Sequence, residues 1–373
     1  MKRVLVIGAT GMFGQRLARH IATHGPDVEL IVTSRSQAKA ERLAREIGAT
    51  GVALDTRRNL PKVLWDLHPF AAVDCSGPFQ GMDHATARAV VARGTHAIDL
   101  ADARDYLLGY RDALDRPARQ SGVAALAGAS STPALSGAVA RRLVEGWTRV
   151  DTLSFAIVPG GRSEVGPAVL EAVTSYAGRS VPTWREGALT TTTGWRGGRS
   201  IDVEGLGRRR VADVETVDAE RLGPLFAVRD RVTFAAGLEA GVEQRGLEAL
   251  AALRARGRVG DVRPLLPLLR AGRRLTRLFT GDCGGMVVRA QGVAHGRSVA
   301  RSWTLVARDD DGPQVPTLAA AAALRALVEG RVAPGARLAD EALTLDAIMA
   351  EARPYRIETR LDGDDVAAPA LAA

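Results

Sequence analysis

Residues 3–14, Arg-Val-Leu-Val-Ile-Gly-Ala-Thr-Gly-Met-Phe-Gly, join a short apolar run to a turn with regularly spaced glycines. After the turn, Phe13, Leu17 and Ile21 repeat at the four-residue spacing of a helix face. The order strand, glycine loop and helix predicts a βα unit whose loop holds the pyrophosphate of a dinucleotide at the helix N-terminus. The glycines permit a tight turn, close approach of the backbone to the phosphates and close packing of strand and helix. The predicted binding residues of this loop are Gly8, Thr10, Gly11, Met12, Phe13 and Gly14.

Five further short apolar runs follow, separated by helical patterns. They predict a parallel sheet that is covered by helices on both faces. The expected fold class is therefore α/β, with a Rossmann-type parallel sheet domain over residues 1–130. The five runs are 28–32, 52–54, 71–75, 96–100 and 123–126.

The pattern changes near residue 149 and predicts a second, α+β domain over residues 131–315, for substrate binding or for contacts in a homodimer. Residues 316–373 are predicted to hold a helix that returns to the first domain, followed by an Ala/Pro-rich tail. The predicted elements are strands at 152–158, 231–236, 286–294 and 298–307, the last two as a hairpin, and helices at 166–178 and 319–328.

Bulk composition argues against several classes of partner. The net charge is +8, but Lys2, Lys39 and Lys62 are the only lysines, a bias typical of arginine-rich codon usage, and aromatic residues for base stacking make up 4%. Nucleic-acid binding is therefore not expected. No uncharged apolar segment reaches eighteen residues, so we expect no integral membrane association. Two cysteines indicate no disulfide framework, so the cytoplasm is the default location. No metal site is predicted.

The end of the second strand selects the dinucleotide. NAD-binding folds place a carboxylate there for the ribose 2′-hydroxyl. This sequence instead has Ser34, Arg35 and Ser36, and the planar guanidinium of arginine can grip a 2′-phosphate. The expected cofactor is therefore NADP(H). Asp55, after the third strand, is placed to contact the adenine or to cap the next turn.

Three motifs resemble the saccharopine dehydrogenase/reductase-like family, and in particular its poorly characterised bacterial branch. They are the glycine loop, the Ser-Gly-Pro-Phe turn at 76–79 and the stretch Gly-Thr-His-Ala-Ile-Asp-Leu-Ala-Asp at 94–102. The resemblance is strong over 1–145 and looser at 281–286 and 312–317. It implies hydride transfer between a nicotinamide cofactor and a C=N or related C=X bond of a small molecule. It also implies that the nicotinamide lies along Ser76, Gly77, Pro78 and Phe79 and ends near Gly128 and Ser130.

Candidate catalytic groups are few. No tyrosine has a lysine four residues later, and no lysine follows Lys62, which excludes the Tyr–Lys pair of short-chain dehydrogenases. Asp102 is the best candidate for an acid or an anchor of a substrate amine, with helix capping as the alternative role. His84 is a second candidate for proton donation, with a polar group at a helix start as the alternative.

Two other functions fit the same fold. One is a trans-acting enoyl reductase of lipid or polyketide chains, since relatives carry that name. The other is a non-catalytic NADP(H)-binding redox sensor. The basic helical stretch 262–279, which places leucines beside arginines, is read as a lid or a dimer contact, or as a surface for anionic lipid that would favour an acyl substrate.

Overall fold

The computed structural model describes residues 1–163 and 167–363. The described chain forms two compact units. The first consists mainly of Met1–Ala138 and Pro313–Tyr355, and the second mainly of Val139–Ser163 and Leu170–Gly312. The domain limits at 130 and 315 stay predictions. The tail from residue 364 and Gly166 of the predicted helix lie outside the described residues. So do the side chains of 167–169 in that helix and of 263, 268–270 and 274 in the basic stretch.

Strands and helices alternate through the N-terminal part of the chain, as the apolar runs predict. The elements are β1 Arg3–Ile7, α1 Met12–His24, β2 Glu29–Ser34, α2 Gln37–Ile47, β3 Thr50–Ala53, α3 Leu60–Leu67, β4 Ala71–Asp74, α4 Ala85–Val91, β5 His96–Asp99, α5 Arg104–Gln120, β6 Ala124–Ala127 and α6 Ser136–Leu143.

The middle of the chain is richer in strands. Its elements are β7 Arg149–Val158, α7 Pro167–Ser175, β8 Ser180–Arg185, β9 Ala188–Thr193, β10 Arg199–Val203, β11 Gly207–Asp213, α8 Asp218–Leu225, β12 Arg231–Ala236, α9 Gly241–Ala255, α10 Leu266–Thr276, β13 Gly284–Ala294 and β14 Arg297–Ala307. The C-terminal part then adds α11 Val315–Val328, β15 Gly335–Leu338, α12 Leu345–Ala350 and β16 Ile357–Gly363.

The first unit contains a seven-stranded sheet in the order β15-β6-β5-β4-β1-β2-β3, in which every pairing is parallel. Val4 to Ile7 of the central strand are all buried, which explains why the strand is an uninterrupted apolar run. The α11 helix is almost wholly buried and packs on α1. This unit confirms the predicted Rossmann-type parallel sheet.

The second unit is a mixed nine-stranded sheet with the order β10-β11-β12-β7-β13-β14-β16, and β8 and β9 extend from β12. The β7–β12 pair is parallel, whereas the other pairings are antiparallel. The predicted hairpin is present: His295 and Gly296 between β13 and β14 have φ of 50° and 74°, the conformation that a tight hairpin turn requires. The second domain is therefore α+β, as predicted.

The C-terminal part departs from the expectation of one helix and a tail. After α11, β15 joins the edge of the first sheet beside β6, and β16 pairs with β14 of the second sheet. Neither strand was predicted, because both are short or polar and lack a continuous apolar run.

The predicted basic helical stretch is divided. It contains a short helical turn at Arg263–Leu265, then α10 and a second turn at Arg277–Phe279. Leu275, Leu278 and Phe279 are exposed, whereas Arg273 forms an ion pair with Glu243 at 3.1 Å. The interpretations of this surface as a lid, a dimer contact or a lipid contact stay predictions. Within 1–163 and 167–363, no helix is long and apolar enough to cross a membrane.

A buried polar network joins the C-terminal part to α1 in the first unit. His20 and Glu351 are 2% and 3% exposed, and His20 Nε2 lies 2.7 Å from Glu351 Oε2. Arg325 Nε donates to Glu351 Oε1 at 2.5 Å, and His20 Nδ1 lies 2.8 Å from the Tyr355 hydroxyl. Burial alone would raise the pKa of Glu351, but the hydrogen bonds from His20 and Arg325 outweigh it and lower that pKa. The network therefore depends on an ionised Glu351.

We expect Glu351→Gln to lower the free energy of unfolding by about 2–3 kcal/mol. Breaking a fully buried pair costs about 3–5 kcal/mol, and the partial exposure of Arg325 reduces the loss. Chemical denaturation followed by circular dichroism measures it. The control is Glu329→Gln, which removes an exposed ion pair to Arg331 and should change stability by less than about 1 kcal/mol. Because the pKa of Glu351 is lowered, the difference between wild type and variant should shrink as the pH falls through that pKa. Equal losses in both variants would contradict an anchoring role.

Candidate functional site

The glycine loop between β1 and α1 has the backbone geometry that a phosphate loop requires. Gly8 has a φ of 71°, and a Cβ placed on it would lie 3.0 Å from the Ser76 Cα. A Cβ on Gly14 would lie 2.3 Å from the Gly8 carbonyl oxygen, so only glycine allows α1 to approach β1 this closely. Gly11 is exposed, and the space beside it is open apart from the Gly8 carbonyl oxygen at 3.2 Å.

The N-terminus of α1 is open to an anion. Its N-cap is Gly11, which supplies no side-chain cap, and its first turn contains no acidic residue. The first N–H groups of a helix have no acceptor within the helix, and the helix dipole adds positive potential there. The half-buried Met12 and Phe13 occupy this turn. The arrangement suits a pyrophosphate.

The end of β2 carries no carboxylate. Ser34 is buried, and its Oγ accepts hydrogen bonds from Thr10 Oγ1 at 3.0 Å and from the Ser36 backbone N–H at 3.3 Å. Ser34 and Thr10 therefore hold the two loops together. Arg35 is exposed and forms no ion pair with any residue that the structure describes. Ser36 is the N-cap of α2 and makes no side-chain capping bond, so this helix start is also available to an anion. The residues fit a 2′-phosphate.

Asp55 takes the turn-capping role that the sequence allowed. Its Oδ1 accepts from the Arg57 backbone N–H at 3.0 Å, and its own N–H donates to Asn59 Oδ1 at 2.8 Å. A contact between Asp55 and adenine stays a prediction.

Two buried aspartates hold the loops at the carboxyl edge of the first sheet. Asp74 Oδ1 accepts from the backbone N–H and the hydroxyl of Ser76, at 2.8 and 2.5 Å. Asp99 Oδ1 accepts from the N–H groups of Gly128, at 2.8 Å, and Ala101, at 3.1 Å. These bonds fix the start of the 76–79 turn and join the loops that follow β5 and β6.

The second oxygen of Asp99 faces a tyrosine. The Tyr106 hydroxyl donates to Asp99 Oδ2 at 3.1 Å, and both residues are buried. Burial raises the pKa of Asp99 to about 7, although the N–H groups of Gly128 and Ala101 lower it in part. Burial and the neighbouring Asp99 also raise the pKa of Tyr106. The Tyr106 phenol is therefore held in its neutral form as a support for the carboxyl group.

The predicted nicotinamide loops differ in exposure. Pro78 is exposed, but the Phe79 ring is buried and lies 5.3 Å from the Tyr106 ring, so Phe79 supports the turn from beneath. Gly128 is buried with a φ of 68°, and a Cβ on it would lie 2.4 Å from Pro133 Cδ. Ser130 is half-buried. Contacts of these residues with a nicotinamide stay predictions.

Asp102 is an exposed acid at the same edge. Helix α5 begins at Arg104 with Ala103 as its N-cap, so the alternative role of Asp102 as a helix cap was wrong. Its Oδ1 accepts from Gln80 Nε2 at 3.2 Å. The other amide atom, Gln80 Oε1, is buried and accepts no hydrogen bond from any described residue.

His84 occupies the helix start that its alternative role implies. It is the N-cap of α4, and its Nε2 lies 2.8 Å from the Tyr106 carbonyl oxygen. Since a carbonyl can only accept, Nε2 carries the proton and donates it to this backbone oxygen. A role for His84 in proton donation stays a prediction.

Sequence reasoning did not single out Asp74, Asp99 or Gln80 as site residues. The available signal was an acidic residue at the last position of a buried apolar strand, which occurs at the ends of both β4 and β5. Buried acids in such positions are costly unless several donors satisfy them.

We expect the Asp99 carboxyl group to make stability depend on pH near neutrality. Its folded-state pKa of about 7 lies above the unfolded value of about 3.9, so its favourable contribution is lost as the pH rises through 7. Relative to Asp99→Asn, the wild type should lose up to about 1.4 kcal/mol of unfolding free energy per pH unit between pH 5 and 7. Denaturation of both proteins across this range measures the difference, with Asp105→Asn as an exposed control. A difference that does not change with pH would contradict the assignment.

Comparisons with known proteins agree with this geometry. Residues 4–126 match the family model described as the saccharopine dehydrogenase NADP binding domain. Apo saccharopine dehydrogenase (L-Glu forming) from Saccharomyces cerevisiae is 14% identical, with a TM-score of 0.67 over 97% of this chain and 100% of that chain. A C. glutamicum DAP dehydrogenase in complex with DAP is 14% identical, with a TM-score of 0.50 over 94% of this chain and 98% of that chain. No curated protein matches the sequence.

The two structural matches show a shared fold that extends through both units. The family match covers the glycine loop, the end of β2, the 76–79 turn and the strand that carries Asp99. It confirms the predicted cofactor, NADP(H). Residues 4–126 therefore match the NADP-binding domain of the saccharopine dehydrogenase family, and the chain is an NADP-dependent oxidoreductase.

Proposed function

We propose that this oxidoreductase acts on a C=N bond of a small metabolite, with Asp102 and Gln80 holding the nitrogen. NADP(H), when bound, supplies or accepts the hydride. The protein's own part is to bind the cofactor, to orient the nitrogen and to place a proton on it or stabilise its charge. The family resemblance supports the reaction type, and the unsatisfied Gln80 Oε1 is the observation that carries the proposal.

One polar atom of the Gln80 side chain has no hydrogen-bond partner among the described residues. Its Nε2 is committed to Asp102 Oδ1, so its Oε1 is left as a buried acceptor that needs a donor. An unsatisfied buried acceptor costs about 1–3 kcal/mol. A protonated amine or iminium N–H can donate to Gln80 Oε1, while the Asp102 carboxylate next to it stabilises the positive charge. A carbonyl or an alkene has no such donor.

Other proton donors at this edge are either hydrogen-bonded within the protein or buried. The Tyr106 hydroxyl is buried and bonded to Asp99, and Tyr110 is fully buried with its pKa raised by burial. His84 directs its Nε2 proton at a backbone carbonyl. Asp102 is the acid that remains exposed among the candidates, so we assign it the proton or the charge of the substrate nitrogen.

The fit of the cofactor rests on residues of the first unit. The Gly11 backbone N–H donates to the Gly8 carbonyl oxygen at 2.9 Å, so Gly11 contributes open backbone space rather than a donor. The proposed pyrophosphate contacts are the backbone N–H groups at Met12 and Phe13, in the open first turn of α1. Arg35 and Ser36 are the proposed contacts of the 2′-phosphate. Arg35 suits this role because it is exposed, unpaired among described side chains and adjacent to the uncapped α2 N-terminus.

We expect wild type to bind NADPH at least about tenfold more tightly than NADH, because one charge-assisted contact is worth about 1.5–3 kcal/mol. Arg35→Ala should lose most of this preference while its affinity for NADH changes little. Isothermal titration calorimetry measures all four affinities. The control is Arg45→Ala, an exposed arginine in the last turn of α2, the helix that begins just after Arg35. Equal wild-type affinities for the two cofactors would refute the role of Arg35.

We expect Asp102→Asn to reduce turnover about 100-fold or more with unchanged NADPH affinity, because the amide cannot donate the proton or balance the charge. NADPH oxidation with a panel of 2-oxo acids paired with primary amines, and NADP⁺ reduction with amino acids, provide the assay. Asp105→Asn is the matched control, because Asp105 is also an exposed carboxylate and lies close by, in the first turn of α5.

The same assay separates the alternatives. Reduction of an α,β-unsaturated acyl thioester, with no activity on the imine panel, would move the function to enoyl reduction. Unchanged turnover of Asp102→Asn on an imine substrate would leave the reaction class intact and remove Asp102 from the chemistry.

A further inference from the structure

The second sheet carries a pocket of about 320 Å³ that the proposed function does not use. It lies on one face of the strands β12, β7 and β13, beside the hairpin of β10 and β11. Every residue that lines it belongs to the second unit. Four arginines and one aspartate line the pocket: Arg185, Arg199, Arg231, Arg289 and Asp213.

The strand register brings two of these arginines together. Arg231 of β12 and Arg185 of β8 are directly opposite partners in an antiparallel pair. Like charges in such a position destabilise a sheet, because the side chains are about 5 Å apart at their Cβ atoms. Both residues are exposed, and neither forms an ion pair within the described part of the chain. The repulsion is thus left without a counter-charge from the protein.

The remaining charges do not neutralise the pair. Asp213, the only acid that lines the pocket, is bonded to Arg199 at 2.7 Å. Arg289 donates to the Asp202 carbonyl oxygen at 2.5 Å and has no carboxylate partner among the described residues. Three guanidinium groups therefore face the pocket with uncompensated positive charge.

Hydroxyl groups form the floor between these charges. Ser154 of β7 is the register partner of Arg289 on one side and of Thr233 on the other. Both hydroxyl residues are half-buried and line the pocket. Guanidinium and hydroxyl donors around one space are the groups that recognise a carboxylate or a phosphate.

Apolar side chains also line the pocket. Ile201 of the β10–β11 hairpin packs against a buried hydrophobic cluster that includes Val211 and Val287. These three side chains line the same pocket as the arginines. The pocket lining therefore combines cationic and apolar side chains, which suits an anionic group attached to a short hydrocarbon body.

We propose that this pocket binds a small organic anion, with its carboxylate or phosphate between Arg185, Arg231 and Arg289 and its apolar body over Ile201, Val211 and Val287. The bound anion supplies the counter-charge that the arginine pair lacks. This proposal does not depend on the C=N reaction.

Three probes at constant ionic strength test the site: hexanoate, hexyl phosphate and inorganic phosphate. Titration calorimetry should show that at least one of the two six-carbon anions binds, and the comparison between them identifies the preferred head group. If the site accepts phosphate, hexyl phosphate should bind at least about tenfold more tightly than inorganic phosphate, because the chain buries apolar surface. Measurable binding of both phosphates with equal affinity would overturn the apolar half of the proposal. Binding of none of the three would overturn the site.

The decisive variant is Arg185→Gln with Arg231→Gln, and the matched control is Arg297→Gln, an exposed arginine at the start of β14. We expect the double variant to bind the preferred anion at least about tenfold more weakly and the control to bind it unchanged. In low-salt buffer without added carboxylate or phosphate, the double variant should melt at the same temperature as wild type or higher, because the repulsion is gone. A lower melting temperature would contradict the uncompensated repulsion on which the proposal is argued, and equal anion affinity would overturn the site. NADPH affinity, measured alongside, should not change, so this site and the cofactor site can fail separately.

Discussion

The Asp99 carboxyl group joins three segments at the carboxyl edge of the first sheet. It accepts hydrogen bonds from the N–H groups of Ala101 and Gly128 and from the Tyr106 hydroxyl. A buried carboxyl group is tolerated only when such donors satisfy it, so the loops after β5 and β6 can take few other positions. Asp74 fixes the turn after β4 in the same way. The exposed atoms of the site rest on loops that these two buried groups hold.

The parallel sheet could be predicted because its strands are buried on both faces and therefore read as apolar runs. The same signal was missing elsewhere. The β15 strand has four residues and includes Arg337, and the polar β16 buries none of its residues completely. Strands β8 to β11 are rich in threonine and arginine. The register of each of these strands is set by a partner strand that lies outside the strand's own sequence pattern. A local sequence pattern therefore cannot predict the pairing.

The features of the candidate site also divide into local ones, which the sequence predicts, and ones that depend on the folded arrangement. The glycine loop and the missing acid after β2 are local features, because they concern backbone space and residue type at a known position. The Gln80–Asp102 pair is not local, since it depends on how two loops approach each other after folding. The burial of Phe79 is likewise a result of packing against Tyr106. Sequence spacing predicts which loops reach the sheet edge, whereas side-chain direction is decided by packing.

The arginine content shows why a net charge is a weak guide to function. Arg325 and Arg210 are paired with carboxylates, at Glu351 and Glu248, and contribute to the fold. Arg185 and Arg231 have the same chemistry, but they face each other across a strand pair with no acid between them. The electrostatic energy of this pair depends on the distance between the two side chains and on the ions that solution places between them, because Coulomb energy depends on distance and on local screening. A composition bias toward arginine can therefore be neutral at most positions and still favour anion binding where the register aligns two arginines, as it does at Arg185 and Arg231.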